Sequence, residues 1–458
     1  MTKKRLAVLN IVGLSQNLLG ANTPNINRYI GQNSVHAMHG VFPALTTTAQ
    51  SSMLTGLYPD EHGIVGNGWY DRDFAEVAFW KQPNQLVQGE KVWDRLRTRV
   101  KDFTCSQLFW WYNMYANVEA SITPRPHYPA DGRKIIDLYS TPNGLHQSIE
   151  KEIGKFPFFN FWGPKAGIES SKWIAKSAMC EADLNAPNLQ FVYLPHLDYC
   201  LQKFGPNHIS IPEELQAIDG IVGELLDYYQ ARDVGVMIVS EYGISEVDTP
   251  VHLNRILREN GYLHVRQSLT WELLDPGASD AFAVADHQIA HIYIRDTKHK
   301  TAVKALLENT PGVERVLDDE EKQTLRANHQ RAGNLIVIAE KRAWFTYYYW
   351  LDDAKAPDFA RSVDIHRKPG YDPVEMFVDP KIRFPMLKVI WRLIQKKLGF
   401  RMLMDVIPLD ATLIKGSHGR PEDTPAEGAL TIMPKSLSVK GDIEMVKVAQ
   451  LIEQYFHN

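Results

Sequence analysis

The run from Leu189 to Ser240 opens with "LQFVYLP" (Leu189–Pro195). It passes through "SIPEELQAIDGIVGELLDYY" (Ser210–Tyr229) and closes on "VGVMIVS" (Val234–Ser240). The two flanking runs are short and apolar, the pattern of strands buried on both faces. Between them Leu215, Ile218, Val222 and Leu225 fall on one helical face, Pro212 suits a first turn, and Ser210 with Glu213 predicts a capping box. Strand–helix–strand units of this kind make parallel sheets covered by helices. "RLAVLNIV" (Arg5–Val12) reads as a third buried strand. The predicted fold class is α/β, with a mostly parallel central sheet sandwiched by helices. Ligands in such sheets sit beyond the carboxyl ends of the strands, so chemistry is expected in the loops after Val12, Pro195 and Ser240.

The rest of the chain is consistent with this frame. The 458 residues are 44% hydrophobic and 23% charged, with a net charge of −4, so no basic excess points to a nucleic acid polymer as partner. Cys105, Cys180 and Cys200 are too few and too scattered for a disulfide framework, which predicts a reducing, cytoplasmic setting. The apolar run near the N-terminus is short and interrupted by Asn10, so it reads as a strand and not as a leader. No run reaches the ~18 apolar residues of a membrane span. Residues 1–458 read as one α/β domain with an inserted cap or substrate region over about 247–408. Within that region "AHIYI" and "NLIVIAE" read as strands, "TAVKALLENT" as a helix, and "AWFTYYYWLDD" as an aromatic-rich strand packed on the core. "MLKVIWRLIQKKLGFRML" (Met386–Leu403) is basic and amphipathic. It suits peripheral contact with a membrane surface, but is read here as a helix with an ordinary charged outer face. "DIEMVKVAQLIEQYF" reads as a closing amphipathic helix.

A second stretch bears on function. "PALTTTAQSSMLTGLYPDEHGIVGN" (Pro43–Asn67) places three threonines at the start of a helical run. Hydroxyls there sit among free N–H groups at the positive end of the helix, where a phosphate is welcome. This stretch resembles the nucleophile segment of the nucleotide pyrophosphatase/phosphodiesterase family of the alkaline phosphatase superfamily. In that family the attacking threonine stands nine residues before the "TG" threonine, which here is Thr55, and the count lands on Thr46. An asparagine twenty-one residues beyond the nucleophile holds a phosphoryl oxygen, and the count lands on Asn67. "TPNINRY" (Thr23–Tyr29) and "GSHG" (Gly416–Gly419) resemble further landmarks. The resemblance implies a hydrolase, or a transferase, acting on a phosphate ester, phosphodiester or pyrophosphate bond of a small phosphorylated metabolite. It also implies a threonine nucleophile and assistance from divalent metal, zinc foremost with manganese or magnesium as alternatives. The family pair of ions lies about 4 Å apart.

The ligand pattern departs from the family at three places. Asp198 and His418 match, and Glu241 is a longer equivalent of an aspartate. Val12, Gln202 and Tyr242 stand where an aspartate and two histidines are expected. Two tetrahedral sites would be short of ligands, which leaves one or two ions open. The expected metal ligands are therefore Asp198, His418, Glu241 and Gln202, with Tyr242, Asn10, His196 and His287 as weaker substitutes. "DIHRKPGYD" offers His366, Arg367 and Lys368 as contacts for an anionic substrate. The alternative reading is a degenerate relative that binds a phosphorylated metabolite without turning it over.

Overall fold

The computed structural model describes residues 4–130, 134–437 and 439–457. Its central sheet has nine strands: β1 (Leu6–Ile11), β2 (Ser34–His39), β3 (Cys105–Leu108), β4 (Ala120–Pro124), β5 (Leu138–Thr141), β6 (Leu189–Leu194), β7 (Gly235–Val239), β8 (Ala429–Met433) and β9 (Ile443–Glu444). Their spatial order is β9–β2–β8–β7–β1–β6–β3–β4–β5. Five of the eight neighbouring pairs are parallel, and β2–β8, β8–β7 and β4–β5 are antiparallel. All six residues of β1 are buried. Leu6 lies opposite Leu189 on one side and Gly235 on the other, so the three strands read from the sequence form the middle of the sheet. The carboxyl ends of β1, β6 and β7 therefore open side by side.

Three helices frame those strand ends: α1 (Thr46–Thr55), α2 (His196–Phe204) and α3 (Ile211–Gln230). All ten residues of α1 are buried although most are polar. It is held by internal hydroxyl bonds. Ser51 Oγ donates to the Thr47 carbonyl and Thr55 Oγ1 to the Ser51 carbonyl, both at 2.7 Å. It stops at Gly56, whose φ of +74° is easy only for glycine. The capping box expected at Ser210 is not made. Ser210 already has helical backbone angles, and its hydroxyl is 2.8 Å from His208 Nδ1. The cap that matters comes from inside α3. Asp219 accepts the backbone N–H groups of Asn25 and Ile26 at 3.0 and 2.9 Å, and so receives the amino end of the Pro24–Ile30 helix within "TPNINRY".

A second, antiparallel sheet runs Ala281–Asp286, Ile289–Ile294, Leu335–Ala339, Val313–Leu317 in space. Its first hairpin turns at His287, with φ +61°. The aromatic run forms a strand only over Ala343–Phe345, and Tyr347 to Trp350 then pack into the core as loop. The closing helix is shorter than read, Lys447–His457, because Ile443–Glu444 pairs with β2 as a strand. The helix Pro385–Lys397 differs more. Its ordinary charged outer face is absent, and its apolar side is the one turned to solvent. No helix among the described residues is long and apolar enough to cross a membrane.

His62 ties α1 to the loop leading to Asn67. Its Nδ1 accepts the Ile64 N–H at 3.1 Å, and its Nε2 is 2.9 Å from Ser52 Oγ. Burial, aided by nearby His329, pulls its pKa down to about 3. The unfolded chain binds the extra proton as pH falls, so the stability His62 supplies is complete above about pH 6.5 and is lost on the way to about 3. The gap in Tm between the wild type and His62→Gln should be widest near pH ~7.5. It should shrink toward pH ~5, where about 2 kcal/mol has gone. A gap independent of pH would show that the folded ring is not held neutral.

Candidate active site

Thr46 is the first residue of α1 and lies at the wall of a cavity of about 90 Å³ over the strand ends. Its Oγ1 is 2.8 Å from the Tyr242 hydroxyl, just beyond β7. Tyr242 donates its one proton to Asp198 Oδ1 at 3.2 Å, so Thr46 is the donor in the first bond. Asp198 Oδ2 also accepts Gln202 Nε2 at 2.8 Å, and Gln202 Oε1 accepts the Tyr371 hydroxyl at 3.0 Å. Burial raises the Asp198 pKa to about 7, against the lowering effect of the Gln202 and Tyr242 bonds.

Around this chain four rings follow one another closely, the outer two pairs stacked and the two histidines tilted by 38°. Tyr242 and His418 have centroids 3.6 Å apart, His418 and His287 3.9 Å, and His287 and Tyr371 3.6 Å. Each histidine is fixed at one nitrogen: His418 Nδ1 is 2.8 Å from the Ala44 carbonyl, and His287 Nδ1 is 2.8 Å from Asp286 Oδ1. Burial holds both rings far below the usual imidazole range, hence neutral. His418 Nε2 is left without a hydrogen bond, 3.7 Å from Asp198 Oδ1.

Glu241 lies on the other side of Tyr242. Its Oε1 accepts Asn10 Nδ2 and Gln50 Nε2, both at 2.6 Å, and burial raises its pKa to about 8. Asn67 is clamped from two sides. Its Oδ1 accepts the Thr47 N–H at 3.1 Å, while its own N–H and Nδ2 donate to Asp286 at 2.8 and 3.1 Å.

The structure thus gathers Thr46, Asn67, Asp198, Gln202, Glu241, Tyr242, Asn10, His287 and His418 around the expected strand ends. It sends three other candidates elsewhere. His196 opens α2, and two residues along a helix is about 200°, so Asp198 and His196 face opposite ways. His196 lies 2.9 Å from Glu214 and beside Cys200, away from Thr46. Lys368 is buried between Asp372 at 2.7 Å and Glu375 at 2.8 Å, so it braces the loop instead of facing a ligand. Arg367 is exposed and paired with Asp364, and only His366 reaches the cavity wall.

Asn10 and Gln202 donate through their amide nitrogens to the two carboxylates; the Gln202 oxygen is taken by Tyr371, whereas Asn10 Oδ1 has no partner. Val12 is buried and offers no ligand atom. Among the described residues, His196, Cys200 and Glu214 are the one group of three His, Cys, Asp or Glu side chains whose ligand atoms lie within 4.8 Å of one another, and none of them belongs to this site. Around Thr46 the carboxylate and imidazole side chains are Asp198, Glu241, His287 and His418. Of the expected ligands gathered here, Asn10 Oδ1, Glu241 Oε2 and His418 Nε2 have no hydrogen bond, and His418 Nε2 is 3.7 Å from Asp198 Oδ1.

Two further participants were not singled out from the sequence. Gln50 lies four residues after Thr46, on the same helical face, and that spacing was legible. Tyr371 sits in the loop that the sequence offered for His366, Arg367 and Lys368. The aromatic wall of the cavity, with Trp80, Trp111, Phe161 and Trp162, comes from residues 80–162, outside the 247–408 region expected to shape it.

A sequence profile described as Type I phosphodiesterase / nucleotide pyrophosphatase matches residues 6–372. The chain belongs to that family. A pyrophosphatase/phosphodiesterase of Schizosaccharomyces pombe is 22% identical over 247 residues, 51% of this chain and 42% of that protein. Human ectonucleotide pyrophosphatase/phosphodiesterase family member 1 is 23% identical, over 48% of this chain and 21% of its own length. The chain thus spans well under half the length of these relatives. Among solved structures, phosphonoacetate hydrolase from Sinorhizobium meliloti, in complex with phosphonoformate, superposes with a TM-score of 0.61 at 13% identity, covering 99% of this chain and 96% of that one. Murine ectonucleotide pyrophosphatase/phosphodiesterase 5, an inactive threonine-to-alanine form in complex with AMP, gives 0.58 at 12% identity, covering 99% and 95%. Both likenesses speak to the fold, which is alkaline phosphatase-like.

The placement of Lys368 predicts a split within "HRK". Lys368→Met leaves two buried carboxyls without their cation and should cost about 3–5 kcal/mol in denaturant unfolding. Arg367→Ala should stay within about 0.5 kcal/mol. Equal, small effects would place Lys368 at the surface.

Proposed function

We propose that the chain is a phosphoryl hydrolase that cleaves a phosphate ester, phosphodiester or pyrophosphate bond of a small phosphorylated metabolite, with Thr46 as the nucleophile. The observation that carries this reading is the Thr46 hydroxyl itself. It stands on the first turn of α1, at the wall of the cavity, already donating toward Tyr242 at 2.8 Å. The inactive threonine-to-alanine form of the murine neighbour supports a threonine in that role.

In this reading Thr46 Oγ1 attacks phosphorus, and its proton passes along the Tyr242 hydroxyl toward Asp198. The P–O bond opposite breaks, and the leaving oxygen departs as an alkoxide or phosphate. The amino end of α1 and the Asn67 amide stabilise the phosphoryl oxygens. Water, or another acceptor, then releases the phosphothreonine. Divalent metal serves the family in general. In this chain Asp198 and His418, with Glu241 and Asn10, would hold an ion, whether zinc, manganese or magnesium, and it would supply Lewis-acid polarisation of a phosphoryl oxygen. No step above runs through it.

Substrate choice is shared between the segment Val363–Tyr371, within the proposed insertion at about 247–408, and the aromatic wall from residues 80–162. Cys105, Cys180 and Cys200 are free, which supports a reducing, cytoplasmic setting. A second reading is favoured by one observation: the Tyr242 hydroxyl bridges Thr46 and Asp198 where the family pattern has a histidine. It holds that the pocket binds a phosphorylated metabolite without cleaving it.

Chromogenic nitrophenyl phosphate mono- and diesters separate the two. Under the first reading, Thr46→Ala lowers kcat by on the order of 10³-fold or more, and Thr46→Ser retains measurable turnover. Phosphate binding that survives chelators, with no hydrolysis by the wild type in any of the three metals, would establish the second.

A further inference from the structure

The helix Pro385–Lys397 is amphipathic, yet it is packed the wrong way round for a helix that helps a soluble core. At 100° per residue, Leu393, Met386, Ile390, Ile394, Leu387, Leu398 and Trp391 fall on one apolar arc, interrupted only by Lys397 in the last turn. That arc faces solvent. Met386 is 64% exposed, Leu387 63%, Trp391 57% and Leu398 68%. Phe384 before the helix and Phe400 after it extend the same exposed surface. The opposite arc faces the protein, and it is ionic. Lys388 Nζ is 3.0 Å from Asp405 Oδ2 and 2.6 Å from its carbonyl, and Arg392 Nη2 is 2.9 Å from Asp405 Oδ1. Only Val389 packs on the core from this helix. The ion pairs hold the helix against the body and leave the apolar side outward.

An apolar surface of this extent on a helix about 20 Å long signals a contact surface. Its charge says what it contacts. Between Lys381 and Arg401 the chain has seven basic residues and no acidic one, in a protein whose net charge is −4. Lys388 and Arg392 are spent on Asp405. Lys381, Arg383, Lys396, Lys397 and Arg401 are exposed around the rim of the apolar arc. Large apolar side chains including a tryptophan, rimmed by cations and too short to span a bilayer, fit the interface of an anionic lipid surface.

We infer that the segment Phe384–Phe400 is an interfacial membrane anchor, which lays its Leu387–Trp391–Ile394–Leu398 face into the headgroup boundary of an anionic bilayer. The apolar residues supply the burial. The flanking lysines and arginines supply attraction that salt weakens. The inference does not depend on the chemistry at Thr46.

The test uses the full chain and sedimentation with vesicles of phosphatidylcholine, with or without phosphatidylglycerol. The wild type should bind the anionic vesicles, and raised salt should weaken binding. Leu387→Glu/Ile394→Glu should lower the vesicle partition coefficient by at least about tenfold, because two buried aliphatic side chains are lost. It should leave the thermal melt unchanged, since those side chains touch no core. Lys396→Glu/Lys397→Glu should abolish the preference for phosphatidylglycerol. Absence of vesicle binding, or binding that ignores Leu387→Glu/Ile394→Glu, overturns the inference. So does a wild-type dimer by light scattering that this variant splits without any vesicle binding, which would assign the surface to a second copy of the chain.

Discussion

The geometry around Thr46 depends on one phenol. The Tyr242 hydroxyl accepts the Thr46 proton in a hydrogen bond and donates its own toward Asp198. Its ring is the first of the four that follow one another through His418 and His287 to Tyr371. Where the family pattern places an imidazole, this chain places a neutral phenol. That single exchange forces others. With no cationic side chain bonded to it, a buried carboxylate has no strong counter-charge, and burial favours its neutral form. Asp198 and Glu241 accordingly rise to about 7 and 8. Each is served by amide donors: Gln202 for one, Asn10 and Gln50 for the other. Val12, Gln202 and Tyr242 form a consistent set because all three are uncharged. A pocket that lost one ligand by drift would have kept its remaining charges unbalanced. Here hydrogen bonds meet one oxygen of Glu241 and both of Asp198, while Glu241 Oε2, Asn10 Oδ1 and His418 Nε2 remain without partners.

The middle of the sheet was legible because its strands are buried on both faces, and such strands announce themselves as unbroken apolar runs. The loops after them were legible as the place for chemistry because topology alone puts them together. Thr46 and Asn67 are counted within one continuous segment, and the fold brings them together, with Asn67 Oδ1 accepting the Thr47 N–H. Failures came where a local rule was applied without knowing the backbone. Two residues share a face in a strand but oppose in a helix, and this put His196 on the wrong side of Asp198. Ser210 had the right neighbours for a capping box but the wrong backbone angles. "HRKPGYD" offered its cations as contacts for an anionic substrate. In fact Lys368 is buried against two carboxylates, and Tyr371 lines the cavity.

Periodicity has a deeper limit at the helix Pro385–Lys397. Spacing of apolar residues states that a helix has two unlike sides. It does not state which side meets the protein. That choice is made by what the body offers. Here the body offers Asp405, and a carboxylate attracts the Lys388–Arg392 side at i and i+4. The apolar arc is displaced outward as a consequence, even though the hydrophobic effect alone would turn it in. Two ion pairs that are about one-quarter exposed are weak individually. An orientation fixed by so little, against so much exposed apolar area, is stable only where something else covers that area. The cations on its rim argue that this covering is a negatively charged surface, and the absence of any acid from 381 to 401 argues against a basic one.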